Sequence, residues 1–314
     1  MSIDTALPPQ VELEAPPVVV SEHTLTFDGF RYVARVVRQG DSVTAPLLLL
    51  GGSSQDRFSW IRHQAALLPL CDVVTVDLPG YGDADQLPPR YGTDFLAAAT
   101  RHLVDALGLG EVNLFGGCFG GSIALRFAQH YPELVERLVL VGMTTTVPPE
   151  YEQAATRWLG MLDEGRYEDM ARELVSRFMA PAGTGTIRRQ AAIGRLIHRQ
   201  FLEQTPRQFE MAVADHNRRL MRHEWYRPEP VPAVPTLVFT GEHDSLTPPG
   251  MGRGVAAVLP GAVFTTVKDA DHLVHMERIE EFTDLLAHFL TDCPIDALPY
   301  CTPPERPSVA GSAD

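Results

Sequence analysis

A single lysine, Lys268, stands in the whole chain, and the remaining basic residues are arginines. Acidic residues outnumber basic ones by 40 to 26, for a net charge of −14. That balance argues against nucleic acid or an anionic membrane as a partner, since both need a basic face. The arginine-for-lysine bias reads as the base composition of a GC-rich genome and marks no site. Cysteine is also scarce: Cys71, Cys118, Cys293 and Cys301 are too few and too dispersed for a disulfide scaffold in 314 residues. No C-x-x-C occurs, and His272 and His275 stand outside any H-E-x-x-H pattern, so no metal is expected. No cofactor motif is visible either. No apolar run has the length of a bilayer span. The first 20 residues are rich in proline and acid and lack a signal-peptide pattern, which makes a cytoplasmic location the expectation.

Short apolar runs are plentiful. Residues 24–27 and 31–37 read as a hairpin around Asp28-Gly29. Buried strands are predicted at 47–50, 73–76, 112–115, 138–141, 236–239 and 263–267, alternating with helices at 58–68, 94–107, 123–131, 252–258 and 279–290. Alternation of this kind implies a doubly wound, mostly parallel α/β sheet with an antiparallel edge. It breaks between residues 147 and 235, where 150–161, 167–179, 187–203 and 206–222 carry helical apolar stripes and no strand pattern. An all-helical insertion there would cover the carboxyl ends of the strands, where ligands bind in such sheets. The expected organisation is a disordered tail at 1–22, a core at 23–146 and 236–291 interrupted by the helical cap at 147–235, and a mobile tail at 292–314.

The densest chemical signal is Gly116-Gly117-Cys118-Phe119-Gly120-Gly121-Ser122, lying between the strand at 112–115 and a helix. Strand, glycine-rich turn and helix with a nucleophile at the apex form a nucleophile elbow, whose strained apex needs small residues two positions away on each side. Alone, the pattern also fits a buried thiol beside a flexible turn. Later residues supply what a nucleophile requires, a base and an orienting acid. Asp244 follows the strand at 236–239, and His272 follows the strand at 263–267, so all three residue types fall at carboxyl ends of strands in the order nucleophile, acid, histidine. Glu242 and Asp271 are reserve carboxylates, and His63, His243 and His275 are less well placed as the base. An oxyanion hole would take its backbone N–H groups from Phe119 and from the loop Gly51-Gly52-Ser53-Ser54, through Ser53.

On these motifs, together with Asp77-Leu78-Pro79-Gly80-Tyr81-Gly82, the chain resembles the α/β-hydrolase superfamily across roughly residues 23–291. It departs from the usual pattern in three places: cysteine stands at the apex, Gly117 precedes it, and Gly51-Gly52 opens the oxyanion loop. Gly52 and Gly117 should leave room beside the nucleophile for an acyl or ring substituent. A thiol at a helix N-terminus beside His272 should ionise readily and attack esters or thioesters. The resemblance extends to enzymes of bacterial polyketide and tetronate pathways. It implies a small acyl or acetylated substrate, with an acyl carrier protein as a conceivable partner.

Three readings follow: an acyl-acting esterase, thioesterase or acyltransferase, a lyase eliminating acetate from an acetylated ring, and a binding protein with a vestigial triad. Trp158, Phe178 and Trp225 are candidate pocket residues. Arg188, Arg189, Arg195 and Arg199 form a basic group better read as a solvated face.

Overall fold

The structure, a computed structural model, describes residues 16–224, 226–231 and 233–307. Strands β1 (Val19–Phe27) and β2 (Phe30–Arg38) pair antiparallel around the Asp28-Gly29 turn, where both residues take positive φ. Strands β3 (Leu47–Leu50), β4 (Val73–Asp77), β5 (Val112–Gly117), β6 (Val135–Val141), β7 (Thr236–Gly241) and β8 (Val263–Val267) complete an eight-stranded sheet. Its order is β1-β2-β4-β3-β5-β6-β7-β8, antiparallel through β2–β4 and parallel from β4 onward.

Side chains alternate across the sheet, so β3 feeds two cores. Leu48 and Leu50 pack with α2 (Thr93–Leu107), α3 (Phe119–His130) and α9 (Pro249–Ala257), whereas Leu47 and Leu49 pack with α1 (Ile61–Leu67) and α11 (Ile279–Leu290). Each face of the sheet is therefore closed by helices, which is what makes its strands continuously apolar. Between β6 and β7 the described residues form only helix and loop: α4 (Pro149–Asp163), α5 (Tyr167–Phe178), α6 (Gln190–Leu202), α7 (Pro206–Phe209) and α8 (His216–Arg222). A π-helical turn, Glu210–Asp215, joins the last two, so the single helix expected over 206–222 is locally unwound. A short helix, α10 (Val274–Glu277), follows His272.

Both tail expectations need correction. Val19 to Glu22 belong to β1, because β2 presents a ladder long enough to pair with them. At the other end, residues 292–307 lie along the edge strand β8. Glu305 exchanges hydrogen bonds with Phe264 at 2.7 and 2.8 Å, the Thr302 N–H donates to Thr266 O at 2.9 Å, and the Lys268 N–H donates to Tyr300 O at 2.8 Å. An edge strand exposes unpaired backbone groups, and this segment pairs them while burying Cys301. Met1 to Ala15 lie outside the described residues.

Candidate active site

Cys118 sits between β5 and α3 with φ 51° and ψ −118°, in a region that L-residues rarely occupy. Its N–H donates to Val141 O at 2.7 Å, which ties the turn to β6. The flanking glycines are obligatory: a Cβ on Gly116 would lie 2.6 Å from Gly120 O, and one on Gly120 would lie 2.2 Å from Leu50 O. Local crowding thus holds the thiol at the sheet's carboxyl edge, the geometry expected of the elbow.

Beyond β7 and β8 the loops bring Asp244 and His272 to the same edge. Asp244 is 3% exposed, and its carboxylate is saturated. The N–H groups of Leu246 and Thr247 donate to Oδ1 at 2.9 and 2.8 Å, the Thr247 hydroxyl donates to Oδ2 at 2.8 Å, and the Thr240 hydroxyl also donates to Oδ2. His272 Nδ1 is 2.9 Å from Asp244 Oδ2. A carboxylate only accepts, so Nδ1 carries the proton and Nε2 remains for a second partner. Cys118 stands in the same cavity wall and interacts electrostatically with His272. Burial opposes the charged ring, but Asp244 and Cys118 outweigh it and raise the His272 pKa well above its ordinary value. Burial likewise opposes the Asp244 carboxylate, but His272 and the hydrogen bonds win and hold it below the usual range.

The imidazole is fixed by shape as well as charge. Phe178 stacks on it at 6.0 Å between ring centres. Gly142, at φ +57°, also approaches it closely: a Cβ there would stand 2.9 Å from His272 Cε1. The neighbouring Asp271 ties the histidine's backbone to the helical insertion: it accepts from the His272 N–H at 2.7 Å and from the Ala180 N–H. Sequence reasoning held Asp271 as a reserve carboxylate. Its oxygens point to backbone N–H groups, so it positions the loop.

A cavity of about 600 Å³ opens from Cys118 between the sheet edge and the helical insertion. Gly52, Ser53 and Gly117 line it, as does Phe178. A Cβ on Gly52 would meet Cys118 Cβ at 3.4 Å, whereas one on Gly117 would meet the Phe115 ring at 3.3 Å and not the thiol. Phe119 opens α3, which places its backbone N–H at the positive end of that helix. Trp158 is a correction. It is fully buried among the insertion's own helices, against Tyr151, because the apolar stripe of α4 faces its neighbours and not the cavity. Trp225 lies outside the described residues. The arginines at 188, 189, 195 and 199 are all exposed, as a solvated face requires.

Sequence reasoning missed Gln55, Thr247 and Gly142. Thr247 left the one usable signal, a hydroxyl three residues after the candidate acid, where its side chain can fold back on the carboxylate.

A family model described as alpha/beta hydrolase fold matches residues 45–279. The chain is 27% identical over 262 residues to a 2-hydroxy-6-oxononadienedioate/2-hydroxy-6-oxononatrienedioate hydrolase of Paraburkholderia phymatum, an alignment spanning 78% of this chain and 86% of that one. Among solved structures it is similar to MGS-M2, an alpha/beta hydrolase enzyme from a Medee basin deep-sea metagenome library. The TM-score is 0.76 at 18% identity, covering 87% of this chain and 99% of the other. A thermophilic esterase from Thermogutta terrifontis superposes with a TM-score of 0.70 at 25% identity, covering 86% and 96%.

Proposed function

The chain belongs to the alpha/beta hydrolase fold family, and from that premise we propose that it cleaves an ester or thioester through a covalent acyl intermediate on Cys118. The observation that carries this reading is the Asp244–His272 pair, joined at 2.9 Å, with His272 and Cys118 together in the wall of one cavity. The esterase and the dioate hydrolase among its relatives support hydrolysis as the reaction type.

In the proposed cycle His272 Nε2 takes the thiol proton, and Cys118 Sγ attacks the acyl carbon. The carbonyl's electron pair moves to oxygen, where the Phe119 and Ser53 N–H groups would receive it. Collapse expels the alcohol or thiol, which takes the proton from His272. Water then attacks the thioester while His272 removes its proton, and the sulfur leaves with that proton as the carboxylic acid departs. A second alcohol in place of water would give acyl transfer by the same steps. Asp244 keeps Nδ1 protonated and the ring oriented throughout. The helical insertion acts as the cap that keeps bulk water from the acyl group.

Intact mass measured after brief exposure to acyl thioesters and activated esters tests the proposal. Wild type should gain the mass of one acyl group. Cys118→Ala should gain none and lose about a thousandfold or more in kcat/KM, as nucleophile deletions do. Unchanged turnover by Cys118→Ala would overturn the reading.

A further inference from the structure

The loop after β3 is held by a side chain to which the proposed reaction gives no part. Gly51-Gly52 lends this loop little shape of its own, since neither residue has a side chain to pack. Gln55 supplies the missing restraint. Its backbone N–H donates to the Gly52 carbonyl oxygen at 3.1 Å, and the Gly52 N–H donates to Gln55 Oε1 at 2.7 Å. One residue therefore engages both polar groups of the Gly52 backbone. Gly51 makes room for it: a Cβ there would stand 2.8 Å from Gln55 Cβ and 3.2 Å from Oε1. Because Gly52 presents a donor, the amide oxygen must face it, and the amide nitrogen donates to His275 Nε2 at 3.0 Å.

His275 lies on α10, three residues after His272. Accepting from Gln55 requires a neutral ring, and burial lowers the His275 pKa to about 3. The His275 carbonyl oxygen accepts in turn from His63 Nε2 at 2.9 Å, so the far end of the bridge is anchored on α1. Gly52, Gln55 and His275 thus join the loop after β3 to the loop after β8, although β5, β6 and β7 lie between those strands in the sheet. The consequence falls on Ser53. Its N–H shares a trans peptide with the Gly52 carbonyl, so the two point opposite ways, and fixing one aims the other. The Gly52 N–H is committed to Gln55, whereas the Ser53 N–H has no partner among the described residues, and Ser53 lines the cavity with Cys118.

We propose that Gln55 is a positioning residue: its side-chain bridge from Gly52 to His275 holds the peptide between residues 52 and 53 so that the Ser53 N–H faces the acyl oxygen. This deepens the reading of Cys118 as an acyl-accepting nucleophile and rests on it. A residue that acts through the Ser53 N–H matters only where charge develops on that oxygen. Acylation of Cys118 is such a step. Alkylation of the same thiol by iodoacetamide is not, since the thiolate displaces iodide from a saturated carbon and the amide oxygen gains no charge.

The experiment compares two rates in the full chain: acylation of Cys118 by acetyl, hexanoyl and benzoyl thioesters, and its alkylation by iodoacetamide. Both are read by mass at the Cys118 peptide, because Cys293 is exposed and reacts as well. Gln55→Met keeps the length of the side chain but loses its amide donor and acceptor. It should slow acylation by about tenfold to a hundredfold, less than outright loss of an oxyanion donor, and leave alkylation within about twofold of wild type. His275→Phe removes the outer anchor alone. It should slow acylation by a smaller factor, again without changing alkylation, so the outcome does not hang on the folding of one variant. Acylation unchanged in both variants overturns the proposal. So does an equal fall in both reactions, which would place the effect on the thiol or His272 and leave the nucleophile reading intact. Absence of any acyl adduct on wild-type Cys118 overturns the nucleophile reading, and the role of Gln55 with it.

Discussion

Gly142 shows how much of this site depends on what a residue lacks. It follows β6 in a left-handed conformation, φ +57°, and a methyl group there would stand 2.9 Å from His272 Cε1 and 3.2 Å from Nδ1. Gly142→Ala therefore pays about 1–2 kcal/mol for the backbone and pushes the imidazole off its line to Cys118. The expected result is a fall in kcat of roughly a hundredfold, the scale of a misplacement near one ångström, with the fold retained by circular dichroism. Activity within twofold of wild type would show that the ring has slack. Nothing in the sequence singles out Gly142, since a glycine after a buried strand is ordinary, and its meaning comes from a histidine 130 residues away in the chain. Gly116 and Gly120 are different. Gly116 is constrained within the turn and its helix and Gly120 by the carbonyl of Leu50 on β3, but both constraints belong to the elbow pattern, so their spacing about Cys118 was readable.

At the scale of elements, strands were legible because Leu47 to Leu50 or Val73 to Val76 are buried on both faces and end in glycine or aspartate turns. The segment after α11 was not. Its apolar residues, Ile295, Leu298, Tyr300 and Cys301, have no period, because the segment docks through isolated bridges to β8 and not as a regular strand. Pairing with an existing edge depends on the edge and leaves no mark on the segment itself. Trp158 misled for a related reason: periodicity identifies the apolar face of α4 but not the surface it meets. The docked segment predicts a role for what looked like a loose end. Deleting residues 293–314 removes the hydrogen bonds to β8 and uncovers the apolar surface beneath Cys301. The loss should be about 3 kcal/mol, a drop in Tm of roughly 5–10 °C, with aggregation through the bared edge. A truncated protein that melts like the full chain would make the segment a passenger.

For the molecule as a whole, the buried ionisable groups set where on the pH scale it is most stable. Asp244, held below its usual range, contributes stability that is present above about pH 4 and is lost as pH falls through its native pKa. His272, held well above its usual range against the opposing effect of burial, contributes stability that is complete below about pH 6.5 and is lost as pH rises through its native pKa. Glu277 acts in the same sense as His272. It is 3% exposed and accepts from the Asp271 N–H at 2.6 Å through Oε2, while Oε1 has no partner among the described residues. Burial pushes its pKa up to about 7. The folded state then binds a proton more tightly than the unfolded one, and stability declines as pH rises from about 4.5 to 7. Net charge of −14 near neutrality adds self-repulsion on the same side. Buried His63, His216 and His275 act in the opposite sense: burial lowers their pKa values, to about 3 for the last two, so stability falls as pH drops below about 6.5. The stability maximum should therefore lie where these slopes meet, at about pH 6–6.5. Urea denaturation across the pH range measures it. Glu277→Gln keeps an amide oxygen for the Asp271 N–H but removes the ionisation, so it should stabilise the protein by about 2 kcal/mol at alkaline pH and shift the maximum upward. A Glu277→Gln protein less stable than wild type at alkaline pH would mean that the carboxylate is paired more favourably than its buried, half-satisfied position indicates.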